Sequence, residues 1–96
     1  MIVVIEVIKA VQGKNGELKK ALYHIIPLCQ KEEGCLQYEF FKSTEENGEF
    51  LILQKWNDRK DLVRHETSKI IKDFTQKYDS KLYSKVIHYT EWEHVV

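Results

Sequence analysis

The segment Ile2 to Val11, IVVIEVIKAV, is nearly continuous in apolar and mostly β-branched side chains, the pattern of a strand covered on both faces. In a chain of 96 residues there is room for one domain with one core, spanning residues 1–96, so whatever covers this strand must come from that domain or from another copy of it. Glu6 interrupts the run. If buried, its carboxyl must be paired, solvated or protonated, and burial would raise its pKa and equip it as a base; a wet rim or a lysine partner would account for it equally well.

Gly13 closes this strand, and Asn15 can cap a helix in which Leu18, Ala21, Leu22, Ile25 and Cys29 recur at three- and four-residue spacing before Gly34. Pro27 lies inside it and should kink the helix or divide it, because proline removes the bond to the Tyr23 carbonyl. Cys35 to Thr44 then alternates as a second strand, Asn47-Gly48 signals a two-residue type I′ turn, and Phe50 to Trp56 returns as a third. Asp58 can cap a second helical region running to about Tyr78, with Leu62, Ile70, Ile71 and Phe74 turned inward and a break near Thr67-Ser68. Tyr83 to Trp92 reads as a fourth strand. The order βαββαβ predicts an α+β, ferredoxin-like domain with a four-stranded antiparallel sheet.

Two helices cover one face of such a sheet, and the other would expose a large apolar patch. A second copy packed sheet to sheet is the simplest cover, which predicts a homodimer. With a two-residue turn, Glu46 faces Glu49, which places Gln37, Glu39, Phe41, Ile52, Gln54 and Trp56 on one mixed face. That face is expected to form a pocket under the helices. The greasier set of Leu36, Tyr38, Phe40, Leu51 and Leu53 is expected at the dimer contact, and a one-residue slip would exchange the two assignments.

Fifteen acidic and fifteen basic residues cancel, and no window collects the dense Lys/Arg that a phosphate backbone requires, so nucleic acid is not an expected partner. IVVIEVI is too short for a membrane span and has no cationic leader, so neither a span nor a signal peptide is expected, and the protein is expected in the cytoplasm. Cys29 and Cys35 are six residues apart, which fits neither a CxxC redox pair nor a zinc knuckle. Both are expected reduced. Cys29 falls on the apolar stripe of the first helix, and Cys35 follows a glycine corner with no helix N-terminus to activate it.

Candidate chemistry gathers elsewhere. His65 falls three residues after Leu62, near the sheet-facing stripe, where it could shuttle a proton or sit as a core-edge histidine bonded to backbone. Trp56 offers a flat wall for an aromatic substrate, or an ordinary core plug. Tyr38, Tyr89 and His88 are weaker candidates, as strand aromatics usually pack. RHETSK lacks the second histidine of a zincin helix, and the four histidines show no ligand spacing, so no metal is expected. No Gly-rich phosphate loop or nucleophile elbow appears either, and no cofactor is expected.

The stretch IIPLCQKEEGCLQY, followed by Trp56 at a strand end and His65 nine residues later, resembles the antibiotic biosynthesis monooxygenase domains, which include small bacterial quinol monooxygenases. The resemblance runs along essentially the whole chain. It implies a dimeric α+β barrel and a cofactor-independent oxidation of a small aromatic or quinol by dioxygen, with His65 or Glu6 as base and Trp56, Gln54, Glu39 and Phe41 around the substrate. The same family contains an isomerase of a phosphorylated sugar and haem degraders, so an isomerase of a small carbonyl compound and a non-enzymic binding dimer stand as alternatives. Some of its oxygenases carry an Asn four residues before the tryptophan and a Tyr six after it, where this chain has Ile52 and Leu62. Against the haem degraders it has Glu6 in place of Asn, His65 in place of Trp, and a position near Thr75 in place of the ligand histidine.

Overall fold

A computed structural model describes the backbone of residues 1–96 and every side chain except those of residues 85–88. The elements follow in the order β1 (Ile2–Ala10), α1 (Asn15–Gln30), β2 (Cys35–Lys42), β3 (Glu49–Trp56), α2 (Arg59–Glu66), α3 (Lys69–Tyr78) and β4 (Tyr83–Glu93). The strands form one antiparallel sheet in the order β2-β3-β1-β4, the ferredoxin-like arrangement. Register shifts between Val7 and Ile8, between Lys9 and Ala10, and between Cys35 and Gln37 mark bulges, which bend and twist the strands that carry them.

The helices pack on one face of the sheet. Beneath them lie Val4, Ile8 and Ala10 of β1, Tyr38 of β2 and Phe50, Ile52, Gln54 and Trp56 of β3, all buried, against Leu18, Leu22, Ile25, Ile26 and Cys29 of α1 and Leu62 of α2. Helix α1 runs uninterrupted through Pro27, so the expected division there does not occur. Lys14, not Asn15, occupies its N-cap position, and the Asn15 amide instead donates to the Asn47 side chain at 2.9 Å, tying α1 to the β2–β3 loop. The helix ends at Gln30, short of Gly34, as the Lys31 and Glu32 N–H groups bond back to the Leu28 and Cys29 carbonyls. Gly34 has φ 80°, and a Cβ there would overlap the Asp61 side chain, so the corner needs glycine for two independent reasons. Asp58 caps α2 by accepting from the Asp61 N–H at 3.0 Å, and Ser68 caps α3, so the break falls at Thr67-Ser68 as its sequence suggests.

The hairpin departs from expectation. Residues 43–48 form a longer loop in which the Ser43 hydroxyl accepts from the Glu45 and Glu46 N–H groups and the Glu49 N–H bonds to the Glu46 carbonyl. Tyr38 therefore stands opposite Gln54, the place expected for Phe41, a shift of three residues that turns β2 over. Tyr38 and Phe40 go under the helices. Glu39 and Phe41 go to the uncovered face, and the assignment of those two to a pocket with Gln54 and Trp56 is corrected accordingly. The uncovered face carries Val3, Ile5 and Val7 beside Leu51 and Leu53, each half-buried, with Phe41 and Trp92 exposed at 47% and 59%. Leu36, at the β2 bulge, is exposed.

Candidate active site

Between the sheet and the helices lies a cavity of about 410 Å³, within the range of small-molecule sites. Ile8, Ile52, Leu22, Ile25 and Ile26 make its apolar floor and wall, and Ile71, Phe74 and Thr75 of α3 form its roof. Five of the residues singled out from the sequence line it: Glu6, Gln54 and His65, and the weaker candidates Tyr38 and Tyr89. Trp56 does not. It is fully buried behind His65, with ring centroids 4.6 Å apart and planes inclined by 31°, and its indole N–H donates to the Gln54 side-chain oxygen at 2.9 Å. It fixes the imidazole and the Gln54 amide and is not a wall of the cavity. The His88 side chain lies outside the described residues.

His65 is bonded to two side chains, not to backbone. Its Nδ1 lies 2.7 Å from Glu32 Oε1 and its Nε2 lies 3.3 Å from the Tyr38 hydroxyl. A carboxylate can only accept, so Nδ1 carries the proton and Nε2 presents its lone pair to the Tyr38 O–H. The result is a directed chain from Tyr38, which lines the cavity, through its hydroxyl and His65 to Glu32 at the protein rim. Glu32 was not visible as a site residue in the sequence, because its position in a charged helix end reads as solvated surface. Tyr38 was placed on the wrong face by the hairpin register.

Burial sets the protonation states here. It pushes the Tyr38 phenol well above its usual value, reinforced by Cys29 and Glu6, so the phenol stays neutral and works as a donor. Burial likewise raises Glu6, with the Glu66 carboxylate adding to the shift. The Cys29 thiol is pushed up to about 12 by burial and by Glu32, and burial also raises Cys35. Neither thiol is activated as a nucleophile, and Cys35 stands at a corner of the chain. Tyr89 donates to Glu66 at 2.8 Å over the far side of the cavity. Glu6, Glu66 and Asp79 give the lining three carboxyl groups, and among its described residues there is no lysine or arginine.

The family model for antibiotic biosynthesis monooxygenase matches residues 1–77. Solved structures agree over nearly the full chain: a protein of Pseudomonas aeruginosa at 22% identity and a TM-score of 0.89, covering 99% of this chain and 94% of that one; a candidate antibiotic biosynthesis monooxygenase of Deinococcus radiodurans at 20% and 0.91, covering 100% and 94%; and a protein of Shewanella oneidensis at 24% and 0.88, covering 95% and 87%. At these identities the likeness is one of fold. No curated protein matches the sequence. No helix is long and apolar enough to cross a membrane among the described residues. With the family model spanning β1 through most of α3, and the same sheet and helices recurring in those structures, the chain belongs to the antibiotic biosynthesis monooxygenase family.

Proposed function

We propose that the protein is a cofactor-independent monooxygenase of a small, electron-rich aromatic or quinol-type substrate, working as a homodimer in the cytoplasm. The observation that carries this reading is the Tyr38–His65–Glu32 chain, whose Tyr38 end lines a largely apolar cavity. The Tyr38 oxygen accepts the substrate's acidic proton while its own proton passes to His65 Nε2, and Glu32 holds the resulting imidazolium. The substrate anion gives an electron to dioxygen and the two recombine as a peroxide at carbon. His65 returns its proton through Tyr38 to the peroxide, completing the hydroperoxide. The same pair then takes the second C–H proton as the O–O bond breaks, and the C–H electrons form the C=O bond. The departing hydroxide takes up that proton, so the CH₂ carbon of an anthrone-like substrate becomes a carbonyl and the second oxygen atom leaves as water. Glu6, whose pKa is raised by burial, also lines the cavity, where its carboxyl can hydrogen-bond a hydroxyl of the substrate.

An isomerase of a phosphorylated compound is less well supported, because three carboxyl groups and no lysine or arginine among the described lining residues repel a phosphate. The dimer rests on the uncovered apolar face, which a second sheet would bury. The test is oxygen uptake with hydroquinones and anthrone-like compounds. Wild-type protein should turn over at least one of them, and His65→Ala should lower the rate by roughly 10²-fold or more. Uptake no faster than that of a His65→Ala/Glu6→Gln double variant across the panel would refute the oxygenase. Deuterium uptake from solvent under anaerobic conditions, in its place, would favour the isomerase.

A further inference from the structure

One group of side chains is left unexplained by proton transfer alone. The Cys29 thiol, the Glu32 carboxylate and the His65 ring nitrogen all lie within 4.8 Å of one another, where the end of α1 meets α2. Cys29 and His65 are buried, and the Glu32 side chain is 15% exposed, leaving one approach from solvent. We propose that Cys29, Glu32 and His65 form a binding site for a divalent transition-metal ion, with zinc the best match.

The donor set argues for zinc. Sulfur, imidazole nitrogen and carboxylate oxygen are its three protein ligand types, and a mixed set of thiolate, imidazole and carboxylate does not suit magnesium or calcium. Charge argues for a dication. A thiolate and a carboxylate supply two negative charges beside a neutral imidazole, so a bound M²⁺ leaves the buried cluster neutral. Without a cation, burial and Glu32 keep the thiol protonated. Spacing supplies the geometry, since Cys29 and Glu32 are three residues apart at a helix end and His65 reaches in from α2. The Glu32–His65 separation of 2.7 Å must open by roughly half an ångström to accept tetrahedral bonds of about 2.0–2.1 Å. The Tyr38 hydroxyl, beside both Cys29 and His65, borders the fourth position.

The nitrogen facing Glu32 is Nδ1, so a metal there would take the lone pair on that atom and leave the proton on Nε2. His65 would then donate to Tyr38 instead of accepting from it. The metal-loaded form therefore cannot use His65 as a base, which makes the ion an inhibitor of the proposed oxidation and not its cofactor. The site does not depend on the oxygenase reading, since occupancy is read without substrate.

The experiment is titration of chelator-treated, full-length protein with Co²⁺ alone, followed by competition with Zn²⁺. One equivalent per chain is expected, with a near-ultraviolet thiolate-to-cobalt charge-transfer band that zinc abolishes. Cys29→Ser should remove the band, and Glu32→Gln should weaken binding by at least about tenfold. Glu32 stands at the rim, so this second variant serves if Cys29→Ser fails to fold. His24→Ala and His94→Ala, which alter histidines outside the cluster, should change nothing. Absence of the charge-transfer band in wild-type protein, unchanged Co²⁺ binding in Glu32→Gln, or loss of binding in His24→Ala or His94→Ala would each overturn the site.

Discussion

Replacing Trp56 by Phe tests whether this residue supports the site from behind or forms its wall. The indole is fully buried and its N–H is donated to Gln54 at 2.9 Å. Phenylalanine keeps most of the apolar surface and leaves the Gln54 oxygen without its donor, at a cost of about 1–3 kcal/mol, and the smaller ring adds about 1–2 kcal/mol through incomplete packing. The single variant should thus lose roughly 2–5 kcal/mol. Gln54→Leu should lose about 1–3 kcal/mol by stranding the indole N–H. In the double variant neither polar group remains, so only the packing loss persists and the double should be more stable than Trp56→Phe alone. Urea unfolding at one fixed protein concentration, with slopes compared before midpoints are converted, measures all four corners of the cycle. Additivity within about 0.5 kcal/mol would refute the coupling. A Trp56→Phe variant of unchanged stability whose KM rises tenfold would restore the tryptophan to the cavity wall.

Glu6 has a raised native pKa, so between its ordinary 4.5 and that raised value the native state holds a proton that the unfolded chain has lost. Its contribution is therefore present at acid pH and lost as pH rises through the native value. Glu6→Gln should gain stability relative to wild type near neutral pH while slowing oxygen uptake; an unchanged pH dependence of the stability difference would contradict the burial of that carboxyl. Gly34→Ala should lose about 1–3 kcal/mol, from its left-handed backbone and the overlap with Asp61, and pairing it with Asp61→Ala should recover part of the loss in a thermal melt. Leu53→Asp places a charge on the uncovered sheet face and should yield aggregated or unfolded protein, while the wild-type melting temperature should rise with protein concentration. A folded wild-type monomer at micromolar concentration in sedimentation equilibrium would remove the dimer.

The order of elements could be read from local chemistry because most of the punctuation is local: Gly13, Asp58 and Ser68 each act within a few residues of where they stand. The faces of β2 could not. Asn47-Gly48 carries a strong two-residue turn signal, but the Ser43 hydroxyl gathers the Glu45 and Glu46 amides into a longer loop, and an odd shift in pairing exchanged Tyr38 and Phe40 for Glu39 and Phe41. Half of the candidate site follows from strand alternation and helix spacing, which carry Glu6, Gln54 and His65. The other half depends on a contact spanning 33 residues, between Glu32 and His65, and on a Tyr38 whose side was decided by that loop.

The roof of the cavity is held differently from its floor. None of the ten described residues of α3 is buried, whereas the sheet beneath carries much of the core; Phe74, stacked 6.1 Å from Tyr83, is its aromatic tie to β4. An element held only by partly buried side chains, Ile70, Ile71, Phe74 and Tyr78, is expected to exchange its amide hydrogens through local opening, at a free energy well below that of unfolding the sheet. If the proposed oxidation holds, substrate and product would pass beneath α3 while the Tyr38–His65–Glu32 chain, carried by β2, α2 and the end of α1, keeps its geometry. Loosening Phe74 would change how fast the cavity exchanges its contents without changing the proton path inside it.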